Sequence, residues 1–263
     1  MSDTGLTVTM VGAGKVGRQL AFSLTEGGAN ICQVFNRTLS KARSLTDHVG
    51  GESIDQFSNI SAESDLFLIA VKDDAIPNVI RRLAPYVPRK SVIAHTSGQV
   101  SMTCFENEFT RFGVFYPLQT FNDNAIQDIG DVPICINANN EVSRNRLHDY
   151  ARVISDVVVD MNDEQRAKVH LPAVFANNFV TFLNHIAYDL CQKNDLSFEL
   201  LYPLIRQTSI NACQGLDPGK YQTGPAIRHD KTTIRKHREG LHHLKDYRLM
   251  YEYITRAIQK NLS

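Results

Sequence analysis

The sequence of 263 residues has no excess charge of either sign, because 28 Lys and Arg residues balance 28 Asp and Glu residues. A neutral chain gives no electrostatic reason to expect binding to nucleic acid or to anionic membranes. No apolar run approaches the ~20 residues that a helix needs to cross a bilayer. The first five residues lack the basic region and apolar stretch of a signal peptide. We therefore expect a cytoplasmic protein that binds neither nucleic acid nor membrane.

Closely spaced cysteines are also missing. The five cysteines are far apart, and no C-x-x-C pair occurs. An odd number of widely spaced cysteines is typical of a reduced protein without a disulfide framework or a zinc site. We expect all five thiols to be buried as small apolar side chains, and we predict no metal site.

Short apolar runs alternate with helical patterns over the first 160 or so residues. Runs of strand length lie at 6–11, 31–35, 65–71, 91–94, 113–116 and 133–136. Helical patterns lie at 15–26 and 75–86, and another follows the second strand and continues to residue 45. Strands that alternate with crossover helices predict a mainly parallel sheet that is covered on both faces. The polar and acidic stretch 122–131 is predicted to be a surface loop.

The pattern changes after Asp160, beyond which no strand is predicted. Helical patterns follow at 163–193, interrupted only by Pro172, and at 197–213 and 246–261. We therefore predict an α/β protein in which a doubly wound Rossmann domain at 1–161 precedes an all-α domain at 162–263.

A glycine-rich turn, Gly12-Ala13-Gly14-Lys15-Val16-Gly17, follows the first strand and opens the first helix. In a G-x-G-x-x-G turn the first glycine permits the tight bend, the second lets a pyrophosphate approach the backbone, and the third lets the helix pack on the strand. The helix N-terminus attracts the phosphates. The turn therefore predicts dinucleotide binding through residues 12–16, whereas a turn without any ligand is the plainer interpretation.

The end of the second predicted strand indicates which dinucleotide binds. NAD-binding proteins usually place an acidic residue there, which accepts a hydrogen bond from the ribose 2′-hydroxyl. This sequence has Asn36, Arg37 and Thr38 instead. A guanidinium pairs well with a 2′-phosphate, so we predict NADP as the cofactor. The alternative is an exposed arginine at a helix start, with Thr38 as the helix cap.

Polar segments follow the later strands. They are Val71-Lys72, then His95-Thr96-Ser97, and then the aromatic and amide-rich stretch 115–121. Ligands bind outside the carboxyl ends of parallel strands, so we predict that the first two segments contact the riboses and nicotinamide of the cofactor. Ordinary turn chemistry at Ser97 and Gly98 is the alternative.

These segments carry a family resemblance. The matching segments are 12–17, 36–37, 95–98, 116–121, 170–179 and 224–230. Over nearly its full length the chain resembles bacterial NADP oxidoreductases that join a Rossmann-like domain to a DUF2520 helical domain. Its first half is also similar to pyrroline-5-carboxylate reductases, F420-dependent NADP reductases and 6-phosphogluconate or 3-hydroxyisobutyrate dehydrogenases. The resemblance implies a helical second domain like that of 6-phosphogluconate dehydrogenase, usually dimeric, and it brings no known substrate.

The long helical pattern carries a polar stripe on an otherwise apolar surface. On an ideal helix its members fall within about 40° of one line: Arg166, His170, Asn177, Thr181, Asn184 and Tyr188. Buried polar groups need partners, so this stripe should face a cleft, a cofactor or another polar group. We predict His170 and Asn177 as catalytic residues, since histidine exchanges protons near neutral pH. A core histidine satisfied by a neighbour is the alternative.

The broader dehydrogenase families use a lysine and an asparagine on the corresponding helix. Here Lys168, Arg166 and His170 stay open as the acid–base group, although Lys168 lies opposite the stripe, and Asn177 or Asn178 would be the asparagine. Because the stripe carries a histidine where those dehydrogenases use a lysine, a mechanism of the 6-phosphogluconate dehydrogenase type is in doubt. Further along, the segment 228–248 is rich in basic residues and histidines. A solvated helix face explains most of it, but Arg228 after Gly224-Pro225 could meet an anionic substrate.

The predicted function is hydride transfer between NADPH and a small carbonyl or imine compound, which could be anionic, and we call the protein an NADP-dependent oxidoreductase. The apolar circumference of the long helix predicts a homodimer joined through the helical domain. Two alternatives stay open. One is a non-catalytic NADP-binding sensor or scaffold, and the other is a reductase of an F420-type cofactor.

Overall fold

The computed structural model describes residues 5–122 and 125–262. Residues 123 and 124 of the predicted 122–131 loop therefore lie outside the described residues, as do residues 1–4. The chain forms two compact units, of which the first ends at Asn177 and the second begins at Asn178. The first residues of the predicted helical domain thus lie in the first compact unit, and the domain boundary near residue 161 stays a prediction.

The first unit alternates strands and helices, as the sequence predicts. In chain order they are β1 (Thr7–Val11), α1 (Lys15–Glu26), β2 (Asn30–Phe35), α2 (Leu39–Val49), β3 (Glu52–Ile54), β4 (Leu66–Ile69), α3 (Ile76–Leu83), β5 (Val92–His95), β6 (Phe112–Pro117), β7 (Ile134–Ala138), α4 (Glu141–Arg152), β8 (Val158–Asp160) and α5 (Asp163–Ala173). The sequence interpretation missed β3, which is only three residues long, and did not locate α4.

The strands form one sheet in the order β3-β2-β1-β4-β5-β6-β7-β8. Neighbours pair in parallel except β6 and β7, which pair antiparallel. The order from β3 to β6 is that of the dinucleotide-binding Rossmann fold, so the predicted fold class is confirmed. Because these six strands are parallel, their carboxyl ends lie at one edge of the sheet.

Both faces of the sheet are covered, and β4 shows why. All four of its residues are buried, and successive side chains point to opposite faces. Leu66 and Leu68 join a cluster that includes apolar residues of α1, α2 and α4, whereas Phe67 and Ile69 join a second cluster with α3. A central strand therefore needs apolar residues at every position, which explains its unbroken apolar run.

The region after β8 is helical. After α5 come a π-helical segment (Val174–Phe179), α6 (Val180–Lys193), α7 (Tyr202–Ala212), α8 (Lys231–Gly240) and α9 (Lys245–Asn261). Pro172 cannot donate the usual hydrogen bond, and the wider π turn begins two residues later, at Val174. A π turn shifts the angular positions of all later residues. The stripe predicted from an ideal helix is therefore wrong in its register beyond the π-helical segment, at Thr181, Asn184 and Tyr188.

The cysteines correct a second expectation. Cys135 is buried and three others are half-buried, but Cys213 is exposed, so not every thiol is a core residue. None of the helices in the described part of the chain is long and apolar enough to cross a membrane.

Candidate active site

The turn between β1 and α1 has the geometry that its glycines predict. Gly12 has a φ of +116°, and a Cβ atom there would lie 2.4 Å from the carbonyl oxygen of Ala70. A Cβ on Gly17 would lie 2.1 Å from the carbonyl oxygen of Gly12. Any larger residue at either position would push α1 away from the sheet. The first and third glycines are therefore required for the close contact of helix, turn and strand.

The middle glycine lies in open space. Apart from Gly14 itself, its chain neighbours and the nearby helix backbone, no heavy atom of the described residues lies within 4 Å of the position of a Gly14 Cβ atom. Gly14 is also the N-cap residue of α1, and the first turn of that helix carries no acidic side chain. The positive end of the helix dipole is thus not neutralised locally. This arrangement fits the pyrophosphate of a dinucleotide, which needs close approach to the backbone.

Of the residues after β2, Asn36 makes structural hydrogen bonds and Arg37 is an exposed cation. The Asn36 side chain accepts a hydrogen bond from the Ala13 amide at 3.3 Å and donates one to the Thr38 carbonyl at 2.9 Å. It thereby ties the glycine turn to the loop after β2. Arg37 is exposed and forms no ion pair within residues 5–122 and 125–262. Thr38 occupies the N-cap position of α2, but its side chain makes no capping bond. These residues fit a cofactor that carries a 2′-phosphate.

The segments after β4 and β5 differ in what they expose. Val71 is half-buried beside Gly12, and Lys72 is exposed. The hydroxyl of Ser97 accepts hydrogen bonds from the amides of Gln99 and Val100 at 3.0 Å each, and Thr96 donates to the Ile69 carbonyl at 3.3 Å. The hydroxyl groups of Thr96 and Ser97 thus bond to the local backbone, as the turn interpretation predicts. The peptide groups of these residues follow β5, where the cofactor is predicted to bind.

His95 corrects the prediction that its side chain contacts the cofactor. The imidazole is fully buried, stacks on Phe105 with ring centres 5.6 Å apart, and accepts a hydrogen bond at Nδ1 from the Ser97 amide at 3.2 Å. Burial, reinforced by the charge of Arg166, lowers the pKa of His95 to about 4. The ring is therefore a neutral core group at neutral pH, because the last residue of β5 points into the sheet layer.

His170 lies at the edge where β5 and β6 end. Its Nδ1 atom is 3.3 Å from the hydroxyl of Tyr116, the fifth residue of β6. A Cβ atom on Gly98 would lie 3.0 Å from the same Nδ1 atom and 2.9 Å from Cζ of Tyr116. A larger residue at Gly98 would therefore force the Tyr116 or His170 side chain to shift. Burial raises the pKa of Tyr116, which keeps the phenol protonated. The structure therefore brings a histidine and a tyrosine together beside the loop after β5.

Asn177 contacts the segment that follows β6. Its side-chain amide donates to the hydroxyl of Thr120 at 2.5 Å, three residues beyond the end of β6. Both residues predicted to be catalytic thus contact the segment 116–120. Sequence reasoning noted this segment for its aromatics and amides but gave Tyr116 and Thr120 no role. The available signal was that this segment ends one strand and continues beyond it, but the sequence could not show that α5 supplies His170 and the π-helical segment supplies Asn177 as partners.

Comparisons with known proteins agree with this geometry. Residues 7–98 match the family described as NADP oxidoreductase coenzyme F420-dependent, and residues 132–258 match the domain of unknown function DUF2520. A solved structure from Bacteroides fragilis, assigned as an NADP oxidoreductase, is 31% identical, with a TM-score of 0.92 over 97% of this chain and 98% of that one. The chain belongs to this family of NADP oxidoreductases. The predicted resemblance is confirmed, and NADP agrees with both the family and the strand ends.

More distant proteins share the fold. The pyrroline carboxylate reductase of Plasmodium falciparum, solved with NADP bound, has a TM-score of 0.65 over 98% of this chain and 100% of that one, at 12% identity. Among curated proteins, the NADP(+) shikimate dehydrogenase of Haloarcula marismortui is 35% identical over 78 residues, which are 27% of this chain and 29% of that protein. The chain thus spans under a third of that curated relative.

Within this oxidoreductase, a buried network fixes the start of α5. The carboxylate of Asp163 accepts hydrogen bonds from the Met102 amide at 3.0 Å, from Asn137 at 3.0 Å, from Arg166 at 2.8 Å, and from the Ser101 hydroxyl. Burial opposes ionisation of Asp163, but these hydrogen bonds outweigh it, so its pKa is lowered. The network holds α5 against the loop after β5.

The other two acid–base candidates have structural partners. Arg166 is 1% exposed, and its second Nη atom donates to the Val100 carbonyl at 2.5 Å. It therefore anchors α5, one helical turn before His170. Lys168 is exposed and pairs with Glu164 at 2.5 Å on the surface of α5. Of the three candidates, His170 is the one whose side chain contacts Tyr116 at the strand edge.

The basic segment 228–248 is largely the surface of α8 and the start of α9. Arg238 and Arg248 both bond to Glu252, at 2.6 and 3.1 Å. The predicted solvated face therefore accounts for much of this charge. Within residues 5–122 and 125–262, no three His, Cys, Asp or Glu side chains meet in a group that could hold a metal ion.

Proposed function

We propose that this protein binds NADPH at the carboxyl edge of its sheet and transfers hydride to a small carbonyl or imine compound, with His170 and Tyr116 supplying the proton. The observation that carries the proposal is the 3.3 Å contact of His170 with Tyr116 beside Gly98. The nicotinamide would supply the hydride chemistry when bound, and the protein would supply position and proton transfer.

The cofactor would be held by three groups of residues. The backbone of Gly12, Ala13, Gly14, Lys15 and Val16 would hold the pyrophosphate, Asn36, Arg37 and Thr38 the ribose phosphate, and Val71, Lys72 and the peptide groups of His95, Thr96 and Ser97 the nicotinamide half. Support comes from the open space at Gly14 and from the exposed Arg37. Each group of residues would bind a chemically different part of one molecule.

The His170–Tyr116 pair would donate a proton to the substrate oxygen or nitrogen. Burial keeps the Tyr116 phenol protonated, and its contact with His170 provides a route for replacing the proton. Asn177 and Thr120 form a second polar contact from the same two segments, and would orient the substrate. The network of Asp163 and Arg166 would keep α5, and with it His170, at the strand edge.

The acceptor is open between two chemical classes. Carbonyl and imine compounds follow from the proton donors, whereas the matched family model names a coenzyme F420-dependent activity. A screen of NADPH oxidation against carbonyls, imines and deazaflavins distinguishes them. An absence of NADPH binding would contradict the proposal altogether. Binding without turnover on any of the three would favour a sensor.

Replacement of His170 tests the proton donor. We expect His170→Ala to keep its fold and NADPH affinity but to lose about 10²–10⁴-fold in turnover, as is usual when a general acid is removed. Tyr116→Phe should lose turnover as well. Lys168→Ala is the matched control, because Lys168 lies on the same helix but is exposed and pairs with Glu164 at the surface. Unchanged turnover in His170→Ala would remove it from the mechanism.

Replacement of Arg37 tests cofactor choice. We expect titration calorimetry to give tighter binding of NADPH than of NADH, and Arg37→Ala to narrow the difference by weakening NADPH alone. Arg43→Ala, an exposed arginine on α2, is the control for general charge. Equal affinity of the unaltered protein for both cofactors would show that Arg37 does not select the phosphate.

We also propose that the protein is a homodimer joined through its second unit. Large apolar side chains are exposed there, including Phe182 on α6 and Leu204 on α7, which are 46% and 65% exposed. Exposed apolar surface of this kind marks an interaction site, and closed two-fold dimers are the commonest assembly.

A further inference from the structure

A cleft in the second unit lies between the turn at His229, helix α8 and helix α9. Its volume is about 500 Å³, which is within the range of small-molecule sites. Side chains that could bind a ligand line it: His229, Lys231, Arg235, Arg238, Glu252 and Arg256. The proposed hydride transfer does not use any of them.

The charge of this cleft contrasts with the balance of the whole chain. Four of its lining residues are Lys or Arg, and only Glu252 is acidic. That carboxylate already accepts hydrogen bonds from Arg238 and Arg248. Neither Lys231 nor Arg256 has an acidic partner in the part of the chain that the structure describes, and Arg235 is 3.8 Å from Glu239 at the surface. The cleft therefore has a surplus of positive charge.

The two helices that carry the cations are tied to each other. Lys231, Arg235 and Arg238 are four and three residues apart, so they share one face of α8. The bond of Arg238 to Glu252 at 2.6 Å ties that face to α9, which also carries Arg256. His237 and Tyr251 form a second tie, 2.9 Å long, between the two helices. Arginines of both helices therefore line the cleft from two sides.

The family motif at 224–230 shapes one wall. His229 has a φ of +52°, which is uncommon for a residue other than glycine and costs energy. Asp230 bonds to the amide and hydroxyl of Thr233, at 3.0 and 2.7 Å, and so caps α8. The Asp230 carboxylate therefore bonds to the start of α8 and, among the described residues, is not an ion-pair partner of the cations that line the cleft. The strained turn thereby places His229 and Lys231 at the cleft.

We propose that this cleft binds a phosphorylated small molecule with at least two negative charges. Arginine forks pair with phosphate oxygens in a bidentate manner, and two arginines on facing helices suit a ligand with separated charges. Ile234 and Tyr251 line the same cleft and offer apolar surface to the organic part of the ligand. The site goes beyond the proposed function, because it requires neither hydride transfer nor the glycine turn.

Titration calorimetry with inorganic pyrophosphate tests the proposal. The protein is first saturated with NADPH, so that pyrophosphate cannot bind at the cofactor site. We expect saturable binding of one pyrophosphate per chain, weakened at least 10-fold in Arg235→Gln/Arg256→Gln. The matched control is Lys236→Gln/Lys260→Gln, which removes the same charge from exposed positions of α8 and α9 outside the cleft. The control should bind like the unaltered protein.

Three results would overturn the site. They are binding that does not saturate, equal weakening in both double variants, and a changed sedimentation mass of Arg235→Gln/Arg256→Gln with unchanged pyrophosphate affinity. The last would assign the cations to a contact between copies of the chain. Circular dichroism checks that the variants fold. If the double variant does not fold, the single change Arg256→Gln repeats the test, and we expect it to weaken pyrophosphate binding to a lesser extent.

Discussion

The two compact units solve the burial of apolar side chains differently. The first contains two clusters of buried apolar residues, one on each face of its sheet. In the second unit, within residues 178–262, only Ala226, Leu241 and Thr255 are buried. Leu200, Leu204 and Tyr253 are 65% to 71% exposed there. A sheet with helices on both faces completes its core within one chain, whereas these helices leave their apolar sides uncovered.

The difference predicts where a single substitution costs most. Phe105 is fully buried, with ring centres 5.6 Å from both His95 and Phe112. We expect Phe105→Ala to lower the free energy of unfolding by about 3–5 kcal/mol, because it removes a large ring from a closed core and leaves a cavity. Urea unfolding followed by circular dichroism measures it.

Val142→Ala is the control within the same unit. Val142 is 56% exposed on α4, so its truncation should change stability by less than about 0.5 kcal/mol. If Phe105→Ala cost no more than Val142→Ala, the first unit would not close its own core as described.

A second prediction concerns pH and the same cluster. Burial lowers the pKa of His95 to about 4, below its ordinary value of 6.5. The unfolded chain then binds this proton more tightly than the folded one. The contribution of the neutral ring is complete above pH 6.5 and is lost as the pH falls toward 4. Below that value no further loss comes from this residue. The change amounts to about 3 kcal/mol at most.

The measurement compares pH slopes of the unfolding free energy. His95→Asn should be less stable at neutral pH, because it loses the stacked ring, but its stability should fall less between pH 6.5 and 4. His243→Asn, an exposed histidine of the second unit, should keep the slope of the unaltered protein. Parallel slopes for the unaltered protein and His95→Asn would contradict the assignment.

The same contrast explains what could be predicted from sequence. Local patterns were sufficient for α1, whose bounds of 15 and 26 follow from the periodicity and the glycine turn. The glycine turn itself, the strand edge and the exposed Arg37 follow from rules about one segment at a time. His95 did not follow such a rule, because the last residue of a strand can point either into the core or out of the sheet, and only packing decides.

Contacts between distant segments were the part that could not be predicted. The pairing of His170 with Tyr116 depends on Asp163, which draws Ser101, Met102 and Asn137 to the start of α5. No spacing in the sequence indicates that assembly. The π-helical segment was likewise hidden, because Pro172 signals an interruption but not how many residues the following turn contains.

The smallest effect we predict tests whether a second copy covers the second unit. Leu200 lies in the turn just before α7, and Leu204 lies in the first turns of α7; their side chains are 71% and 65% exposed. If these side chains are buried in a dimer, Leu200→Glu/Leu204→Glu should weaken association at least about 10-fold, or about 1.4 kcal/mol, since charges would enter an apolar contact. Sedimentation over a dilution series measures this.

The control is Val142→Glu in the first unit, which should associate as the unaltered protein does. An unaltered protein that sediments as a 29.5 kDa monomer at micromolar concentration would reject the dimer. Dimerisation unaffected by the double change would instead move the contact to another face. In either case the exposed leucines would need a different explanation, because an isolated unit with so few buried residues gains little stability from the hydrophobic effect.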